Sequence, residues 1–134
     1  MQDLIVRGSD KFGSGYFGAS RDGGKRTHLG VDAVTISGGD FYARTNGVVS
    51  FIGYPYNDDL HYRYVQITDS KGWKWRYFYV APSVELGLKI KVGDKIGVCQ
   101  DLQPRYPGIT QHVHFEIMVG KDHIDPTKYL NGET

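Results

Sequence analysis

Short runs of β-branched and aromatic residues recur along the chain at residues 41–44, 48–52, 62–67, 74–80, 95–99 and 113–118, with Gly, Asp, Asn and Ser between them. Runs of this length, separated by turn residues, predict strands rather than βαβ units, and the helical candidates are short. The expected fold class is all-β: a compact antiparallel β-sandwich or partly open barrel with short loops and little helix. In residues 62–67, Tyr62, Tyr64 and Gln66 alternate with Arg63, Val65 and Ile67, so one face meets a core and the other meets water. Asp69-Ser70-Lys71-Gly72 lies between two such runs and predicts an antiparallel hairpin. Val92-Gly93-Asp94-Lys95 reads as a second turn. Asp125-Pro126 opens a single helical turn over 125–130, with Asp125 as the N-cap and Pro126 at the first helical position.

Residues 1–27 differ in character. Gly8, Gly13, Gly15, Gly18, Gly23 and Gly24 fall among Ser, Asp, Lys and Arg, with little to bury beyond Tyr16 and Phe17 as anchors. This is a Gly-rich lead-in that wraps the fold, followed by the domain proper at 28–134.

A chain of 134 residues is one domain. Its 16 Lys and Arg against 15 Asp and Glu give a formal charge of +1, so no overall field selects nucleic acid. The N-terminus has no signal-peptide pattern, and no apolar run approaches the roughly 18 residues of a membrane span, so a soluble domain is expected. The single Cys99 excludes an internal disulfide and a Cys-rich zinc site, and in its strand it reads as a small buried residue. Any metal must rest on His and carboxylates.

Two patterns carry that chemistry. His28 and Asp32 are separated by three residues, and His112-Val113-His114 holds two imidazoles at strand period, so both can address one point. A catalytic zinc takes three protein ligands and keeps a position for water. His28, Asp32 and one of His112 and His114 supply such a set, leaving the other histidine to act on the water. Each pattern alone occurs in ordinary sheets; together they bracket the strand-rich region. Glu116 shares the strand face of His112 and His114, where it either orients a ligand or meets solvent. His61 and His123 belong to no pattern and read as surface or loop residues. Tyr54, Tyr56, Tyr62, Tyr64 and Tyr106 line a groove or pack a core.

In order, His28-x-x-x-Asp32, the strand 47–53, the turn 92–97, His112-Val113-His114-Phe115-Glu116 and Asp125-Pro126-x-x-Tyr129-Leu130 resemble the lysostaphin-type zinc peptidases over about residues 27–130. The resemblance implies zinc bound by His28, Asp32 and His114, with His112 as general base. It also implies a substrate in the peptides of bacterial peptidoglycan, or otherwise a cell-wall ligand. A phage or bacterial lytic module of this kind, virion-associated, part of a larger assembly or released by lysis, reaches the wall without a signal peptide.

One departure matters. Active members carry a further His before the Val-x-x-Gly turn, in a Tyr-Ala-His-Leu context, whereas this chain reads Tyr77-Phe78-Tyr79-Val80. Tyr79 stands where that His is expected, as in the vertebrate chemotaxin branch of the family, which also shares the run Tyr106-Pro107-Gly108-Ile109. That branch implies the alternative of a zinc-binding pseudo-peptidase, a binding or structural module. A phenol still donates a hydrogen bond to an oxyanion, although Tyr79 reads equally as one more ring on an aromatic strand.

Overall fold

The computed structural model describes residues 4–21, 24 and 26–131. Their strands are β1 (Ser20–Arg21), β2 (Arg26–Thr27), β3 (Val31–Val34), β4 (Asp40–Tyr42), β5 (Gly47–Gly53) and β6 (Tyr64–Thr68), then β7 (Lys74–Phe78), β8 (Val80–Pro82), β9 (Lys89–Ile90), β10 (Lys95–Cys99), β11 (His112–Val119) and β12 (Asp122–Ile124). The main sheet runs β12-β11-β7-β6-β5-β9, with β3 also paired to β11. A three-stranded sheet, β4-β10-β8, packs against it, and β1 with β2 forms a separate ribbon. Every pairing is antiparallel. The fold is all-β and open at its edges, as the spacing of apolar runs predicts.

Alternation sets the layers. Val65 and Ile67 of β6, Trp75 and Tyr77 of β7, and Val113, Phe115 and Ile117 of β11 all point inward. They meet Phe41, Val80 and Ile96 of the smaller sheet. Phe115 stacks on Tyr77 at 5.1 Å between ring centres, and Phe41 meets Tyr77 at 5.4 Å. Burying each such ring contributes about 1.5–3 kcal/mol.

The hairpin between β6 and β7 forms where Asp69-Ser70-Lys71-Gly72 predicts it. Asp69 Oδ1 accepts hydrogen bonds from the Lys71 and Trp73 amides, its Oδ2 accepts from Trp75 Nε1, and Gly72 takes φ 82°. At the other end of the chain a 3₁₀ segment, Thr127–Asn131, follows Pro126, and the Asp125 carboxylate accepts from the Thr127 amide.

The strand predicted over residues 74–80 divides at Tyr79, which has φ 72°. A left-handed conformation costs an L-residue about 1–2 kcal/mol and persists only where its surroundings hold it. Here the Tyr79 amide donates to the Arg63 carbonyl and the Tyr79 carbonyl accepts from the Gln100 amide. The twist shifts the alternation by one, so Tyr77 and Val80 both enter the core while Tyr79 turns out of it. It also carries the chain from the main sheet at β7 to the smaller one at β8. The run predicted over 62–67 likewise begins later, at Tyr64, because Tyr62 joins a second apolar cluster with Leu102 and Ile109.

Candidate metal centre

β3 and β11 pair so that Asp32 lies directly opposite His114. His28 follows β2 and is fixed by its amide donating to the Ala19 carbonyl and its carbonyl accepting from the Gly18 amide. The turn from His28 to Asp32 passes so close to β11 that a Cβ at Gly30 would lie 2.2 Å from the Phe115 carbonyl oxygen. Only glycine admits that approach.

Three atoms then form a nearly equilateral triangle. His28 Nε2 lies 2.9 Å from His114 Nδ1 and 3.1 Å from Asp32 Oδ1, and His114 Nδ1 lies 2.9 Å from Asp32 Oδ1. Tetrahedral zinc bonds of ~2.0–2.2 Å separate neighbouring donors by ~3.3–3.5 Å, so small side-chain rotations admit the ion. The two imidazoles and one carboxylate are also the donor type of a catalytic zinc that leaves one position open.

The remaining atoms of these side chains are spoken for, which orients the donors. His28 Nδ1 faces the Tyr16 carbonyl at 3.0 Å, and His114 Nε2 faces Glu116 Oε1 at 3.0 Å. Asp32 Oδ2 accepts from Arg7 Nε at 3.1 Å and Nη2 at 3.0 Å. Such partners fix the tautomer and the ring plane of a ligand. Arg7 is 2% exposed and also binds Asp10 Oδ1 at 2.8 Å. Asp10 Oδ2 accepts from the Thr110 amide, and the Thr110 carbonyl faces His112 Nδ1 at 2.7 Å. One network thus joins Asp32 to His112 through the lead-in.

Burial disfavours charge on Asp32, but hydrogen bonds from His114 and His28 and the electrostatic influence of the surrounding imidazoles outweigh it and hold the carboxyl well below its ordinary range. Burial also opposes charge on His114, yet its bonds to Asp32 and Glu116 push it up to about 9 in the metal-free protein. Glu116 is lowered despite burial, chiefly by its bond from His114. His112 moves the other way: burial lowers it, only partly offset by Asp32 and the Thr110 carbonyl. A neutral His112 with Nδ1 engaged keeps its Nε2 lone pair free, 3.5 Å from Asp32 Oδ2, to accept a proton.

A cleft of about 590 Å³ opens over these residues, lined by His28, His112 and His114 together with Tyr56, Tyr79 and Tyr106. Of the predicted site residues, His28, Asp32, His112, His114, Tyr79 and Glu116 therefore share one location. His123, expected to stand apart, lies with Nε2 3.3 Å from Glu116 Oε2, because β12 folds back on β11 and brings Met118 opposite it. Arg76 approaches the same carboxylate at 3.9 Å. His61 is exposed beside Tyr62. Cys99 is buried on β10, where burial pushes its thiol up and away from nucleophilic use. Arg7 carried no signal in the sequence: it stands 25 residues before its carboxylate partner in a Gly-rich stretch.

The model of peptidase family M23 matches residues 26–126. The chain belongs to peptidase family M23. Among M23-like relatives, it is 34% identical to mouse leukocyte cell-derived chemotaxin-2 over 125 residues, covering 93% of this chain and 79% of that protein. It is 35% identical to chicken myeloid protein 1, covering 93% of this chain and 37% of that one. The M23 fold is also that of the catalytic domain of the antimicrobial peptidase lysostaphin from Staphylococcus simulans, with a TM-score of 0.68 at 22% identity over 86% of this chain and 88% of that one. A zinc containing peptidase from Vibrio cholerae gives 0.65 at 25% identity over 94% of this chain and 40% of that one. Among the described residues no helix is long and apolar enough to cross a membrane.

Proposed function

We propose that this M23 domain is a zinc-dependent endopeptidase that hydrolyses peptide bonds in bacterial peptidoglycan, as a lytic module. The observation that carries the reading is the triangle of His28 Nε2, Asp32 Oδ1 and His114 Nδ1 beside a buried His112 whose Nδ1 is held by the Thr110 carbonyl. Zinc held by His28, Asp32 and His114 would supply a Lewis acid for the scissile carbonyl and a water with a pKa of about 7. His112 takes the proton from the attacking water at Nε2 and returns it to the leaving amine. Glu116 and the Tyr16 carbonyl keep the ligand imidazoles turned toward the metal, and Arg7 keeps Asp32 presenting Oδ1. Tyr79 donates its phenolic hydrogen to the carbonyl oxygen as negative charge develops there.

The experiment is release of new amino groups from purified peptidoglycan by zinc-loaded protein. Activity lost on chelation and in His112→Ala supports the reading, and zinc-loaded, folded protein that releases none overturns it. That second result is the one expected of a zinc-binding pseudo-peptidase acting as a binding module. Two features favour this alternative: Tyr79 in place of a histidine, and the likeness to chemotaxin-2.

A further inference from the structure

Three tyrosine hydroxyls meet at the wall of the cleft. Tyr56 Oη lies 2.8 Å from Tyr79 Oη and 2.6 Å from Tyr106 Oη. At the outer end Arg105 Nε donates to the Tyr106 oxygen at 3.4 Å, and the guanidinium carbon lies 3.6 Å from the Tyr56 ring centre. Asp58 and Asp59 hold Arg105 from the solvent side. At the inner end the Tyr79 ring meets His112 edge-on, 5.7 Å between centres.

Each phenol carries one hydrogen, so two O–H···O contacts among three hydroxyls leave one hydrogen over. It belongs to Tyr79 if the chain runs inward from Arg105, to Tyr106 if it runs outward, and to Tyr56 if that oxygen accepts twice. The guanidinium decides among these. It occupies the Tyr106 oxygen with an N–H, which turns that hydroxyl's hydrogen toward Tyr56, and its positive charge 3.6 Å over the Tyr56 ring turns the Tyr56 hydrogen away from it, toward Tyr79. Burial pushes the Tyr56 and Tyr79 phenols far above their ordinary range, so both keep their protons. The left-handed backbone at Tyr79 is what turns its ring out of the core and into this chain.

We propose that Arg105, Tyr106 and Tyr56 form a one-way hydrogen-bond chain that leaves the Tyr79 O–H as a donor aimed at an oxyanion in the cleft. A histidine brings its own charge to an oxyanion, whereas a phenol brings only a dipole. Hydrogen bonds in series polarise one another, so a cation at the far end strengthens that dipole where charge develops. Tyr56 and Tyr106 are then positioning residues. The proposal rests on the reading of Tyr79 as the oxyanion donor.

The test uses the zinc-loaded chain and two probes: inorganic phosphate, a tetrahedral oxyanion, and imidazole, a neutral zinc ligand with no oxygen to accept a hydrogen bond. Tyr79→Phe is expected to weaken phosphate binding by about tenfold or more. Tyr56→Phe and Tyr106→Phe each weaken it severalfold, while zinc and imidazole affinities hold. Phosphate binding unchanged in Tyr79→Phe overturns both the donor reading and the chain. Weakening in Tyr79→Phe with no change in Tyr56→Phe and Tyr106→Phe overturns the chain alone. Parallel loss of phosphate and imidazole in the Tyr56 and Tyr106 variants marks general damage and also overturns it. Tyr106→Phe carries the test if Tyr56→Phe does not fold.

Discussion

Asp32 and His114 are direct cross-strand partners on β3 and β11, and their Oδ1 and Nδ1 atoms lie 2.9 Å apart. Two side chains separated by 82 residues are thereby set by the geometry of one antiparallel pair. In the metal-free protein that contact favours the protonated form of the His114 ring.

That proton gives the metal-free and metal-loaded forms opposite pH dependence. His114 is raised from its ordinary 6.5 to about 9. A raised folded-state value contributes stability that is complete below the unfolded value and lost as pH climbs through the folded one. The metal-free protein should therefore lose this contribution between about pH 6.5 and 9, whereas zinc, which displaces the proton, should stabilise more as pH rises over the same window. Thermal unfolding with and without zinc across these pH values checks it; a zinc increment that is flat with pH contradicts it.

Arg7→Met should weaken zinc binding by about 10–100-fold, because it frees Asp32 Oδ2 from its two N–H donors. It also strips the buried Asp32 carboxylate of one of the cations that face it, a loss of up to about 3–5 kcal/mol. Chelator competition and urea unfolding read the two effects separately. Zinc affinity equal to that of the unaltered protein would show that Arg7 does not orient the carboxylate.

Glu116→Gln keeps the shape but removes the charge that His114, His123 and Arg76 share. Zinc affinity should fall by about tenfold. His123→Ala should change it much less, since His123 contacts the carboxylate and not the ligand ring. Equal losses in the two variants would mean that His123 matters as much as the carboxylate.

Gly30→Ala introduces a Cβ against the Phe115 carbonyl, so the turn carrying His28 and Asp32 must move away from β11. Lower zinc affinity is expected together with a loss of stability of about 1–3 kcal/mol from overpacking. An alanine variant with unchanged metal binding and unfolding midpoint would show that the turn tolerates the displacement.

Tyr79→Phe should lower peptidoglycan hydrolysis by about 10²–10³-fold, the usual loss for one oxyanion donor. Tyr79→His retains a donor and should keep turnover at or above that of the unaltered protein. Amino-group release measured on zinc-loaded variants decides this, and an unchanged rate in Tyr79→Phe removes the phenol from the reaction.

The strands with the clearest alternation were legible in the sequence, because Val65 and Ile67, or Val113 and Phe115, report burial at period two. The two-residue strands, β3 and β12 were not, since a pair such as Lys89–Ile90 or a triplet such as Asp122–Ile124 has too few positions to show a period. His28, Asp32, His112 and His114 were legible as candidates by their spacing alone. Arg7, Tyr56, Tyr106 and the place of His123 were not, because nothing local distinguishes an arginine or tyrosine that finds its partner across the fold.

The sequence by itself determined an all-β chain with a thiol-free set of candidate metal donors, since residue type and local period are properties of the chain. Tertiary structure alone decided which atoms face one another. Pairing of β3 with β11 closes the donor triangle, a buried arginine from the lead-in fixes its carboxylate, and a left-handed residue turns Tyr79 out of the core. These are long-range contacts, fixed by packing and hydrogen bonding between segments whose separation in sequence carries no trace of their meeting.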